Sequence, residues 1–218
     1  MIPARHLHHI PDGMSLKEAS LAEPFSVAYG GIKHMNINEK SVVAVIGTGC
    51  IGMAAIVLAK ALGAKTVVMI GRNPEKLKVA QKLGAEIINN TICDVKAEID
   101  KLTNGNGADY VLECSGARET FKQAISIATF KGTVALIGFY EHKENEVNID
   151  NIVSKALTLV GVMGAIGDMA GALKILKNNN LDFSPIVTDE LPFDDCIKGF
   201  TRKNYPNSVK TTVKICEE

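Results

Sequence analysis

Apolar and polar positions along the chain follow two periods, and the switches between them predict most of the elements. Val42 to Ile46 is a short β-branched run bounded by Ser41 and Gly47, the pattern of a strand buried on both faces of a parallel sheet. Met53 to Leu62 is small and apolar, with Ala54, Ala55, Ala59 and Ala61, as a helix pressed on a sheet requires, and Gly63 ends it. Thr66 to Ile70 is a second β-branched strand. Asn73-Pro74-Glu75 sets a capping residue, a proline for the first helical position and an acid for the first turn, so a helix starts there. It buries Leu77, Ala80 and Leu83 and stops at Gly84. Glu86 to Ile88 is the third strand, and Val95, Ile99 and Leu102 then share one helical face before the loop Asn104-Gly105-Asn106-Gly107. Tyr110 to Leu112 is the fourth strand, ending in Glu113-Cys114-Ser115-Gly116. Phe121, Ile125 and Ala128 mark a helix, Lys131-Gly132 a turn, and Thr133 to Ile137 the fifth strand. Beyond a polar loop from Tyr140 to Glu146 and a brief helical stretch, Leu157 to Val162 is the sixth.

Strands that alternate with helices need crossover connections, so the expected fold is α/β, a doubly wound six-stranded parallel sheet. Ligands of such sheets lie beyond the carboxyl ends of the strands, at the switch point. That rule gathers Gly47, Gly49, Cys50, Ile51 and Gly52, then Gly71, Arg72 and Asn73, then Ser115 and Gly116, then Ile137, Gly138 and Phe139 around one crevice.

The flanks differ in character. Ser15-x-x-Glu18 reads as a capping box opening a short helix, and Pro24 suits the first turn of a helix over Phe25 to His34. In the tail, Leu173, Ile175 and Leu176 belong to a helix with Leu181 at its exit, Pro185-Ile186-Val187 is extended, and Asp194 is expected to cap a helix reaching Arg202. Val209, Thr211, Val213 and Ile215 alternate with Lys210, Thr212 and Lys214, a half-exposed strand that needs a partner outside the six-stranded sheet. The expected division is residues 1–35 as a remnant of a second domain, 36–165 as the nucleotide domain, and 166–218 as a dimer-side helix and a segment returning to the second domain.

Composition narrows the function classes. The chain has 218 residues and a formal net charge of zero, with no basic stripe to meet nucleic acid. No apolar run approaches the roughly 18 residues a membrane span needs, and the first residues do not resemble a secretory signal. Five scattered cysteines without a C-x-x-C pair fit a reducing, cytoplasmic setting. His6, His8 and His9 are either solvated or an improvised metal site.

The chemistry sits at G-x-G-x-x-G, between the first strand and the following helix. Gly47 allows the tight turn, Gly49 lets a pyrophosphate approach the backbone, and Gly52 lets the helix pack on the strand. The helix start offers N–H groups and the positive end of its dipole to phosphates. NAD-specific sites carry an acid at the end of the second strand to hold the ribose 2′-hydroxyl. Here Gly71 stands there, followed by Arg72, which can bond a 2′-phosphate, so NADP is expected ahead of NAD.

E-P-F-S-V-A-Y-G, G-T-G-C-I-G, G-A-D-Y-V-L-E-C-S-G, K-G-T-V-A-L-I-G and L-D-F-S-P-I-V-T together resemble the medium-chain, zinc-dependent alcohol dehydrogenase family, in its sorbitol and threonine dehydrogenase branch. The resemblance implies a Rossmann domain flanked by remnants of a GroES-like catalytic domain, a nicotinamide cofactor, an alcohol or polyol substrate, and a homodimer joined through the sixth strand. It places Glu23 beside the catalytic zinc. The family's cysteine ligand and G-H-E motif do not occur here, so a zinc site within this chain is not expected, and the chain alone is expected to bind cofactor without turnover. A non-catalytic dinucleotide-binding module, such as a redox sensor, is the alternative. A methyltransferase or short-chain reductase fits less well: Tyr29 and Lys33 have the Tyr-x-x-x-Lys spacing but precede the glycine motif, whereas short-chain reductases carry it afterwards.

Overall fold

A computed structural model describes residues 3–140, 148–163, 169–179, 181–201 and 204–215. Its strands β1 (Val42–Ile46), β2 (Thr66–Gly71), β3 (Glu86–Asn89), β4 (Ala108–Glu113), β5 (Ala128–Leu136) and β6 (Thr158–Gly161) form one sheet in the order β3-β2-β1-β4-β5-β6. Every neighbouring pair is parallel. Alternate side chains of the central strands enter different cores. Val43, Val45, Val67, Met69, Leu112 and Ala135 share one cluster with α3 (Cys50–Ala61) and α4 (Pro74–Lys82). Ala44, Ile46, Val68, Ile70, Val111 and Val134 share the other with α5 (Val95–Thr103) and α6 (Thr120–Ile127). Burial on both faces is why these strands read as unbroken apolar runs.

The short α1 (Leu16–Ala19) has the expected capping box: Ser15 accepts from the Glu18 N–H, and Glu18 accepts from the Ser15 N–H. The next helix, α2 (Ala22–Ile32), belongs to the first core. Phe25 is fully buried edge-to-face on Phe183, with ring centroids 5.2 Å apart. A Cβ on Gly31 would stand 3.1 Å from Ile137 Cδ1, so the helix lies directly on the sheet. Past the sixth strand, α8 (Met169–Asn178) packs beside α2, and Gly171 leaves the room taken by the Tyr29 ring.

Several expectations change. Leu102 is 44 % exposed, while Thr103 at 8 % takes the buried place after Val95 and Ile99. In a nine-residue helix the i, i+4, i+8 row faces the sheet, and Thr103 can be buried there because its hydroxyl donates to the Ile99 carbonyl and accepts from the Gly107 N–H. Ala128 opens β5 rather than ending α6. The Lys131-Gly132 turn is a bend inside that strand, with Lys131 at φ 60° where the register to β4 shifts. Ser184–Ile186 forms a 3₁₀ turn where an extended segment was expected, and Val187 alone of that trio continues as strand. Asp194 caps nothing: it lies in a 3₁₀ turn, Phe193–Asp195, ahead of α9 (Cys196–Gly199), and Asp195 pairs with Lys198 at 2.7 Å. Residue 202, the loop beyond Tyr140 and Cys216 lie outside the described residues. The tail strand β8 (Lys210–Lys214) finds its partner within the tail itself, running parallel to β7 (Val187–Pro192). The remaining helix, α7 (Ile149–Ser154), precedes the edge strand β6.

Candidate functional site

The sheet reverses its winding between β1 and β4, and the expected crevice residues lie on the strand-end turns there. Gly47 has φ 112°, and a Cβ on it would stand 3.0 Å from the Ser115 nitrogen, so the β1 and β4 turns abut. A Cβ on Gly52 would overlap the Gly47 carbonyl, so the first turn of α3 can close on the β1 turn only through glycine. Gly49 is different: a Cβ there would meet nothing within 4 Å. It is the N-cap of α3, and no side chain caps that end. Two of the three motif glycines are thus required by the protein's own packing. The third leaves open space beside uncapped backbone N–H groups, which fits a phosphate group.

The end of β2 is closed in another way. A Cβ on Gly71 would collide with the Thr48 methyl, so the place of an acid is already filled by a residue of the glycine motif. Arg72 is exposed beside it, with no ion-pair partner among the described residues. Asn73 accepts from the Glu75 and Lys76 N–H groups as the cap of α4 and donates to Asn207 Oδ1 at 3.0 Å, tying the tail to the end of β2.

On the β4 side the organising group is Glu113, wholly buried at the strand end. Its Oε1 accepts from the N–H groups of Ser115 (2.8 Å) and Gly116 (3.0 Å), and its Oε2 from the Tyr140 hydroxyl (2.8 Å). Burial, then the bond to Glu113, pushes the Tyr140 phenol well above its ordinary range. Cys114 is also pushed up, by burial first and by Glu113 second. Gly116 has φ 65°, and Gly138 packs so closely on it that a Cβ on either would enter the other's turn. Phe139 is 79 % exposed at the rim. Ile137 contributes only backbone to this region: its side chain lies in the core under Gly31.

At the α3 start, burial pushes the Cys50 thiol up to about 11, with Lys210 pulling it down and Glu23 pushing it up. Ile51 packs against the first core. Glu23 is exposed and within electrostatic reach of the glycine motif. Among the described residues no three His, Cys, Asp or Glu side chains converge on one point, and His6, His8 and His9 are exposed. Among the described residues the donors near Glu23, its own carboxylate and the half-buried Cys50 thiol, do not fit a zinc ion, which needs several deprotonated ligands. Sequence reading missed Thr48, Glu113 as a side chain, Tyr140, Asn207 and Lys210. Glu113 alone carried a signal, an ionisable residue directly after the apolar run Tyr110 to Leu112.

A family model described as zinc-binding dehydrogenase matches residues 50–178. The sorbitol dehydrogenase of Halalkalibacterium halodurans is 33 % identical over 198 residues, covering 89 % of this chain and 57 % of that protein. An L-threonine 3-dehydrogenase of Bacillus velezensis is 32 % identical, over 91 % of this chain and 58 % of its own. Among solved structures, the 2R,3R-butanediol dehydrogenase of Bacillus subtilis superimposes with a TM-score of 0.83 at 28 % identity, over 95 % of this chain and 60 % of that one. The chain thus spans less than two thirds of the length of these relatives.

Proposed function

The chain belongs to the zinc-binding dehydrogenase family, whose members are NAD(P)- and zinc-dependent alcohol and polyol dehydrogenases, and on that premise we propose that it is the cofactor-holding part of such an enzyme. The observation that carries this reading is the contrast among the motif glycines: Gly47 and Gly52 are closed by protein, and Gly49 is open at the uncapped start of α3. The residues that would hold a dinucleotide are Gly47, Gly49, Cys50, Ile51 and Gly52 at its phosphates, with Gly71, Arg72 and Asn73 at the adenosine ribose. Ser115, Gly116, Ile137, Gly138 and Phe139 form the far wall. Lys210 adds positive charge near the phosphates, consistent with its pull on Cys50. When bound, the nicotinamide accepts a hydride from the alcohol carbon. This chain's residues bind and orient it.

The preferred cofactor in this reading is NADP, with NAD the alternative. Thr48 fills the place of a ribose-binding acid, and Arg72 stands exposed beside it, where a guanidinium bonds a phosphate. Turnover of a small alcohol or polyol requires a zinc site that the donors near Glu23 do not fit, so it awaits a catalytic domain supplied by other sequence. Phe193, Ile197, Phe200 and Ile215 of the tail are exposed apolar side chains that such a domain could cover. The division into 1–35, 36–165 and 166–218 then says which part of an intact enzyme each segment matches. The sharing of one core by Phe25, Phe183, Val45 and Met53 supports reading the three segments as one folding unit.

We place the protein in the cytoplasm as a homodimer through the β6 edge. No described helix is long and apolar enough to cross a membrane, and nothing in its charge suits nucleic acid. A second reading, a dinucleotide-binding module such as a redox sensor, draws on the same misfit of Glu23 to zinc. Untagged protein is assayed for zinc by elemental analysis and for NADPH formation with sorbitol, threonine and secondary alcohols. Saturable NADP binding with neither zinc nor turnover is expected. Stoichiometric zinc with steady turnover abolished by Glu23→Ala contradicts the proposal.

A further inference from the structure

Glu113 is the most completely buried ionisable side chain at the crevice, and neither the glycine motif nor the Arg72 corner accounts for it. Its carboxylate has no lysine or arginine within ion-pair distance among the described residues. It is satisfied by N–H and O–H donors alone: the Ser115 N–H, the Gly116 N–H shared between both oxygens at 3.0 and 3.2 Å, and the Tyr140 hydroxyl. A buried carboxylate without such donors is strongly disfavoured, so these groups are held to it as firmly as it is to them. Its backbone acts on the neighbouring strand, where the Glu113 carbonyl accepts from the N–H groups of Ile137 at 2.8 Å and Gly138 at 3.0 Å. One residue therefore fastens the turn after β4, the turn after β5 and the first residue of the following loop. Because Ser115 abuts Gly47, the same residue sets the distance between the far wall and the glycine motif.

We propose that Glu113 is a positioning residue for dinucleotide binding, acting through the Ser115-Gly116 and Gly138–Tyr140 turns without touching the ligand. This rests on the reading that the crevice holds a dinucleotide. Glutamine is the conservative replacement. Its amide oxygen can accept from Ser115 and Gly116 while its NH2 donates to the Tyr140 oxygen, so every crevice N–H keeps a partner. Leucine keeps the bulk and orphans three donors.

The experiment titrates NADP into wild type, Glu113→Gln, Glu113→Leu and Tyr140→Phe, with amide hydrogen exchange followed at residues 115 and 116 in the same samples. Expected are affinity within threefold of wild type for Glu113→Gln and at least a tenfold loss for Glu113→Leu. Tyr140→Phe, which keeps its ring on Phe121 and removes one donor, should lose three- to tenfold. The amides of Ser115 and Gly116 should exchange slowly in wild type and fast in Glu113→Leu, while those of β1 stay protected. Undiminished affinity in Glu113→Leu or Tyr140→Phe overturns the proposal, as does equal loss in the Gln and Leu variants. If Glu113→Leu does not fold, the Gln and Tyr140→Phe arms decide. If wild type binds no dinucleotide, the functional reading fails, and unchanged exchange at residues 115 and 116 in Glu113→Leu would remove the positioning role as well.

Discussion

An acid at position 71 would meet the Thr48 methyl before it reached any ligand, so the choice of residue at the end of β2 is made jointly with the glycine motif. Gly71→Asp should therefore overpack this corner and lower stability by about 1–3 kcal/mol. Adding Thr48→Ser, which removes the methyl, should restore most of it. Thermal melts of the single and double variants check this, and identical melting for both would remove Thr48 from the argument. Arg72 is the complementary half. Arg72→Ala should weaken NADP binding by about 1.5–3 kcal/mol, the range for a hydrogen bond to a charged group, and leave NAD nearly unchanged. Competitive titration of the two cofactors reads this directly, and parallel loss for both would deny Arg72 a role in the preference. The glycines, Arg72 and Asn73 were legible in the sequence because their chemistry is local to one turn. Thr48 against Gly71, Asn73 against Asn207 and Lys210 near Cys50 were not, since each joins residues distant along the chain and no local pattern announces them.

At the scale of elements, hydrophobic period recovered the six strands and their order of succession, since double-faced burial and glycine stops are written into each segment. It failed where burial was decided by a neighbour. Thr103 displaced Leu102 because Gly107 offers it an N–H. For β8 the expected partner outside the six-stranded sheet is present, and it is β7. The helix α2 is the sharper case. Its sequence reading as a remnant of another domain left its packing open, and it lies in the main core, with Phe25 on Phe183. Phe25→Ala should cost about 3–5 kcal/mol, the range for deleting a buried aromatic, and chemical denaturation should show one transition shifted as a whole. An unchanged main transition would mean that α2 and the tail are appended rather than integral. The opposite edge carries the association prediction. β6 exposes Leu159 and an unpaired strand edge, with exposed Met163 beyond it and exposed Ile149 and Val153 on α7, features of an edge that is covered in the assembled state. Sedimentation should give a dimer at micromolar concentration that Leu159→Pro on β6 dissociates, because the Leu159 N–H faces the open edge whereas that of Val160 faces β5. A stable wild-type monomer there would contradict it.

At the scale of the molecule, the sheet and its crevice are joined to an N-terminal arm and a tail that carry exposed apolar side chains, and among the described residues no His, Cys, Asp or Glu cluster converges. Three separate strand-end turns meet at the crevice, closed on one another by Gly47, Gly52, Gly116 and Gly138 and left open at Gly49. On the proposed reading, cofactor seating is built into this chain and activation of an alcohol is left to other sequence. The most direct measurement is an equilibrium titration of NADPH, followed by its fluorescence, into the untagged wild type and Gly49→Val. The valine points into open space, so the fold and melting temperature should hold. Expected is saturable one-site binding in wild type, weakened at least tenfold in Gly49→Val by the side chain standing where the phosphates would lie. A wild type that does not saturate, or a Gly49→Val that binds as tightly, would contradict the assignment of this crevice to a dinucleotide.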